Sequence, residues 1–400
     1  MYKNKVSKYK NKLNQIGGAE ERRCPYIVGD LVKIKNNRFD ISDEIGRIIN
    51  IIYSDRLNLC IKLQVQLNDG TIKLWNSTDV DKLDISILTR YPKDISDKIL
   101  SSLDLFTLIK LYQNSNPETQ RIIQECKDFD FFNEIFPSTI TLQQFNIMFP
   151  FCKGIALAFN SSIRDEHFVY LRGIKRLNIS GCNQITDDAL IHLRGIHTLK
   201  MNYCKKITEE GLSHLRGIHT LSINECYEIY NIAYENLRGI HDLSMQKCSQ
   251  ITNTAFINLR GIHTLIMNEC VRITNSAFVH LHGINTLQIR MCNITDSAIV
   301  HLQGIKSFNM EYCSQITDEA FKYLRDIHTL NMSYCTQITD EAFKYLSGIH
   351  TLFMIRCTQN TITDKAFKYL SGIHNLYMAE CDPERIAYAR SIGLPVTTIF

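Results

Sequence analysis

The chain has 400 residues with 45 Lys and Arg against 41 Asp and Glu, a formal net charge of +4, and 14 cysteines. That length exceeds one ordinary core, which implies either several domains or a solenoid that grows by adding units. No stretch approaches the eighteen or so apolar residues that cross a bilayer and no apolar run of a secretory signal opens the chain, so a cytoplasmic, membrane-free protein is expected.

Residues 1–24 carry seven Lys/Arg against two Glu, the composition of a solvated, disordered basic tail, and the remainder is close to neutral. From residue 25 to 84 the pattern turns to strand period, with Ile61, Leu63, Val65 and Leu67 alternating with Lys62, Gln64 and Gln66. Asn68, Asp69 and Gly70 then supply a hairpin turn. The stretch resembles a small Tudor- or KOW-like barrel. Tyr53 and Trp75 are read there as core or rim residues.

Residues 88–136, "YPKDISDKILSSLDLFTLIKLYQNSNPETQ" and onward, read as a short helical bundle. Pro92 suits a first helical turn, Ile95, Ile99 and Leu100 form one apolar face, and Leu103, Leu105, Leu108 and Leu111 form another. Residues 137–172 are expected to be a linker and the N-terminal cap of a solenoid that begins at residue 173.

From 173 to 400 the chain repeats itself. Ten cysteines, from Cys182 to Cys381, are spaced by 22 residues five times and then by 21, 22, 22 and 24. Each follows the frame I-x-x-[LF]-x-[IM]-x-x-C, which is most often continued by x-x-I-T-x-x-[AG]-[FL]-x-x-L. This is a leucine-rich repeat pattern. In the unit around Cys335, Leu330 and Met332 point into a core while Thr329, Asn331 and Ser333 point outward from a short strand. Cys335 turns the chain inward, Ile338 anchors it, and Thr339 caps a short helix whose Ala342, Phe343 and Leu346 pack behind the strand. Gly348 ends that helix. No unit buries its own apolar face, so neighbours must stack into a parallel sheet with helices outside, an α/β solenoid. "DPERIAYARSIGLPVTTIF" after Cys381 reads as its C-terminal cap.

A thiol in every unit suggests metal or redox chemistry, yet stacked side chains run parallel, and no CxxC pair occurs. Small packing residues are the reading. His197, His219, His241, His263, His328, His350 and His374 form a second row, interrupted by Asn285 and Lys306. They are read as neutral imidazoles hydrogen-bonding between turns, whose stacking makes the fold less stable as they charge in acid.

The signatures "ISGCNQITD", "MEYCSQITD" and "MSYCTQITD" resemble the cysteine-containing leucine-rich repeats of F-box proteins, over about residues 173–381. The preceding helical segment resembles an F-box: Pro92, Ile95, Ile99, Leu100, Leu103, Leu108 and Leu111 match its pattern. Tyr91 stands where Leu is usual, and "QNSNPETQ" replaces the Trp region. The resemblance implies a substrate-recognition subunit of an SCF-type ubiquitin ligase, a monomer outside that complex. A Skp-type adaptor and cullin would be its partners, the adaptor contacted by exposed apolar residues from Pro92, Ile95, Leu100 and Leu108.

No nucleophile elbow, Walker loop, zinc spacing or placed carboxylate pair is found, so no enzyme, metal or cofactor is expected. The target protein is expected on the open sheet face, where Tyr312, Tyr334, Phe353, Ile355, Arg356 and Tyr377 gather the residue types of interface hot spots. A scaffold or inhibitor that binds a partner without ubiquitin is the alternative. Nucleic acid ranks last, because the outward strand positions hold few charges, of mixed sign, such as Lys200, Asp242, Arg290 and Glu311.

Overall fold

The computed structural model describes the backbone of residues 31–33, 45–54, 59–67 and 72–76, residues 93, 97, 100, 101 and 103–357, and residues 361–398. Two compact units divide the chain: Met1–Asp130 with Ile147–Cys152, and Phe131–Asn146 with Lys153–Phe400.

The first unit holds a four-stranded antiparallel meander of Leu31–Lys33, Ile45–Ser54, Leu59–Leu67 and Ile72–Asn76, in chain order. The turn expected at Asn68–Gly70 and the side chains of Tyr53 and Trp75 lie outside the described residues. Two helices follow, Leu105–Asn114 and Pro117–Glu125. Each begins on a side-chain cap: Asp104 accepts from the Thr107 amide and Asn116 from the Thr119 amide, both at 2.9 Å. Leu100, Leu105, Leu108, Ile109 and Ile123 are buried, and Phe129 meets Phe149 edge to face at 5.2 Å between centroids.

The second unit is a single sheet of thirteen parallel strands in strict chain order, from Phe131–Ile135 to Val396–Thr397. It begins earlier than the repeat pattern suggests. Phe131–Ile135, expected within the helical segment, pairs with Gly154–Ala156, expected within the linker and N-terminal cap, and that strand pairs with Arg176–Asn178. These first turns lack the Ile/Cys spacing, so periodicity alone misses them. At the other end, helix Pro383–Ser391 leads into Val396–Thr397, which pairs with Asn375–Tyr377.

The cysteine-bearing repeats share one packing scheme. In the Cys335 unit, Ile327, Leu330, Met332, Cys335, Ile338, Ala342, Phe343 and Leu346 are all buried, while Thr329 and Asn331 are half-buried on the open face. The thiols do structural work. Each donates to a main-chain carbonyl of the preceding turn, as Cys226 does to Met201 at 3.1 Å and Cys335 to Met310 at 3.2 Å. Burial pushes both thiols up to about 12, so neither is a thiolate at neutral pH. None of the twelve described cysteines forms a disulfide.

The Ile-Thr-Asp signature also acquires a meaning beyond helix capping. The Asp of one unit accepts from both the amide and the hydroxyl of the Thr in the next: Asp296 holds Thr317 at 2.8 and 2.6 Å, and Asp318 holds the Thr339 amide at 2.8 Å. Where Asn replaces Asp, as at Asn253, the amide group bonds Thr274 with both its ends. Thr339 in turn caps its own helix by accepting from the Glu341 amide. Replacing Asp318 by Ala leaves two donors of Thr339 unpaired. The expected loss is about 2 kcal/mol in chemical denaturation; a loss below about 0.5 kcal/mol would show that water replaces the carboxylate.

Candidate protein-binding face

From Gly154–Ala156 to Asn375–Tyr377 the strands are three residues long with a buried middle residue, so outer positions of successive units line up as rows on the open face. The residue before each cysteine forms a further row in the left-handed region, at φ 61° for Tyr203, 60° for Tyr312, 61° for Tyr334 and 52° for Arg356. Only the first cysteine-bearing repeat uses the residue suited to that conformation, Gly181. Elsewhere large side chains occupy it at a cost of about 1 kcal/mol each.

The two halves of the face differ in how their polar groups are satisfied. In the N-terminal half they bind one another. Asn202 accepts from the Ser222 hydroxyl at 2.7 Å and the Asn224 amide at 2.9 Å; Asn224 does the same for Ser244 and Gln246 at 2.8 Å each. Asn202 and Asn224 thus tie three successive turns together, and at the first strand Arg176 and Lys200 lie 4.4 and 5.1 Å over the buried Phe132.

In the C-terminal half the rows turn aromatic. Phe353 and Tyr377, partners in register on adjacent strands, stack at 4.3 Å with 3° between planes. Tyr312 and Tyr334 stack at 3.9 Å. Arg290 lies 5.3 Å over Tyr312 and Arg356 lies 5.5 Å over Tyr334. Arg290 pairs with Glu311 at 3.3 Å, and Arg356 with Glu380. The Ile355 amide is fixed by the Ser333 hydroxyl at 3.0 Å. Tyr312, Tyr334, Phe353, Ile355 and Tyr377 are half-buried and Arg356 is exposed, so each keeps a surface for a partner.

Of the six target-face residues named from sequence, four form two stacked pairs, Arg356 lies over one of them, and Ile355 stands beside them with its amide held by Ser333. Arg290, Glu311 and Glu380 complete the patch, and sequence reasoning left them out because their partners sit one unit away. The adaptor residues fare differently. Leu100 and Leu108 are fully buried in the first unit and are corrected here to core residues: their helix-period spacing marks an apolar face, and that face is used internally. Pro92 and Ile95 lie outside the described residues. Phe106, half-exposed on the helix that carries Leu108, is the apolar side chain left open there.

The histidines stack in two runs. Centroid separations are 4.5, 4.5 and 4.4 Å from His197 to His263, and 4.4 and 4.3 Å from His328 to His374. Between turns the rings stack; their hydrogen bonds run to the neighbouring Thr of the same unit, as His350 to Thr351 at 3.0 Å. Desolvation first, and then the charges of His374 and His328, lower the His350 pKa. A base depressed in the folded state binds fewer protons than in the unfolded chain. Stability is thus full above the ordinary imidazole value near 6.5 and falls as pH drops below it. Melting temperature is expected to fall between pH 7.5 and 5.5, less so in His350→Gln; equal slopes would remove His350 as the cause.

Comparison with the curated proteins finds no match. Among solved structures, a chain of the TLR13–ssRNA13 complex is 17% identical with a TM-score of 0.44, over 58% of this chain and 35% of that one. This chain thus spans about a third of the length of that neighbour. An internalin of Listeria monocytogenes is 19% identical with a TM-score of 0.48, over 62% and 74%. A chain of the Drosophila Toll–Spatzle complex is 12% identical with a TM-score of 0.49, over 86% and 54%. Six copies of the BspA type leucine rich repeat region match at residues 161–285 and 249–374, more than half of the chain. The protein belongs to the BspA-type leucine rich repeat family.

Proposed function

We propose that the chain is a non-enzymatic recognition protein that holds a partner protein against the C-terminal half of its open sheet face. The observation that supports this most is the contrast between the two halves of that face: polar groups that bind one another in the first, and stacked Tyr312/Tyr334 and Phe353/Tyr377 flanked by Arg290 and Arg356 in the second. Aromatic and Arg side chains presented on a rigid sheet lose little freedom on binding and supply most of the energy of protein interfaces. A photo-cross-linking residue at Tyr377 is expected to trap a partner that the same residue at Asn202 does not. Equal trapping at both would remove the assignment to the C-terminal half.

The finer proposal is that capture serves an SCF-type ubiquitin ligase in the cytoplasm, with the helical segment docked on a Skp-type adaptor that joins a cullin. It rests on the F-box resemblance and on Phe106 as an open apolar contact. The solenoid then contributes proximity, while its partners supply the chemistry. The burial of Leu100 and Leu108 favours the second reading, a scaffold or inhibitor without ubiquitin. Pull-down of the full chain by a purified Skp-type adaptor, lost on Phe106→Asp, supports the ligase; no binding by the wild type leaves the scaffold.

A further inference from the structure

The residue that opens each strand in the histidine rows is nearly invariant within this chain: Thr198, Thr220, Thr264, Thr286, Thr329 and Thr351, with Ser307 and Asn375 as neutral substitutes. Asp242 is the one carboxylate in that register, and it stands in the middle of the four-histidine stack. Its Oδ1 lies 3.0 Å from His241 Nδ1 and its Oδ2 lies 3.9 Å from His219 Nδ1. The three candidate ligand atoms all fall within 4.8 Å of one another. No second grouping of this kind occurs among the described residues, although His328, His350 and His374 stack in the same way.

The carboxylate is held in place from both sides. Thr220 donates to Oδ2 at 3.2 Å and Thr264 also bonds the carboxylate, while the buried His241 Nδ1 beside it makes no hydrogen bond. Burial alone would raise the Asp242 carboxyl, but its hydrogen bonds and the nearby His241 outweigh it and hold it below the ordinary carboxylate value. Each imidazole is 43% exposed and Asp242 31% exposed, while the His241 Nδ1 atom itself is buried, so an ion reaches it only as the ring turns.

Two imidazoles and one carboxylate are the donor set of zinc-type ions, while calcium and magnesium prefer oxygen alone. At bond lengths of about 2.0–2.2 Å, tetrahedral ligand atoms sit about 3.4 Å apart. The two His–Asp distances bracket that value, and the third closes by rotation of exposed side chains. We propose that His219, His241 and Asp242 form a site for a divalent zinc-type ion, with water completing its coordination. This departs from the sequence-based expectation of no metal and is independent of the partner face. Since His219 belongs to one unit and the other two ligands to the next, the ion staples adjacent turns and raises the melting temperature. Protons compete with the ion for the imidazoles, so binding weakens in acid.

The test is equilibrium dialysis of the full, chelator-treated chain against zinc chloride at pH 7.5, with melting curves in parallel. Wild type is expected to bind one more ion than Asp242→Thr, a variant carrying the residue of both flanking strands. That substitution is expected to weaken this site by about 100-fold or more, as is His219→Gln, while His350→Gln leaves it unchanged. Melting in chelator checks that each variant folds. Cobalt in place of zinc is expected to give visible bands without thiolate charge transfer. Failure of the wild type to bind, undiminished binding in a folded Asp242→Thr chain, equal loss in His350→Gln, or a thiolate band would each overturn the proposal.

Discussion

Phe343→Ala is expected to lower stability by about 3–5 kcal/mol, read from the midpoint of chemical denaturation. Phe343 is fully buried, as are Phe256, Phe278, Phe321 and Phe367 at the same place in other units. These rings fill the space between strand and outer helix, and the flanking turns are fixed by the thiol and Asp–Thr rungs, so the gap left by Ala cannot collapse. A loss below about 1 kcal/mol would mean that the outer helices repack freely, against the geometry of those rungs.

Loss of partner capture on combined Phe353→Ala and Tyr377→Ala is the second large effect. Both rings are half-buried and stacked on each other outside the core, so folding should change little while the centre of the patch disappears. Truncation of interface hot spots costs about 2–4 kcal/mol each, which weakens a partner by more than about 100-fold. The measurement is affinity for the partner trapped at Tyr377, with the melting temperature as control. Retained affinity would move the site elsewhere on the face.

Much of this was legible from the residues. The recurrence of Ile, Leu, Met and Cys dictates both the buried row and the open row, and the strand period places Phe353 and Tyr377 on the open side without coordinates. What escaped reading involves partners one turn apart. Thr339 looks like a local cap from its neighbours alone; that Asp318 also grips it depends on stacking 21 residues away. Arg290 and Glu311 look like isolated charges until the sheet pairs them. Leu100 and Leu108 show the limit of spacing in the other direction: apolar residues at helical intervals are equally suited to a docking face and to a small core, and only burial decides. Phe131–Ile135 escaped because the first strand lacks the consensus that its neighbours share.

The Asp–Thr rungs run from Asp165–Thr186 to Asp340–Thr363 with one gap. After Thr208, held by Asp187, the next unit offers Tyr230 in place of Thr, and Tyr230 makes no cap bond; the preceding Asp position is Glu209. The next rung is Asn231–Thr252. A linear array behaves as a chain of nearest-neighbour couplings, so a missing coupling is where cooperativity breaks. The solenoid is therefore expected to unzip in two blocks that meet at Tyr230. Amides on either side of that seam should exchange hydrogen with separate opening energies, and a pulling force applied to the ends should part the array there first.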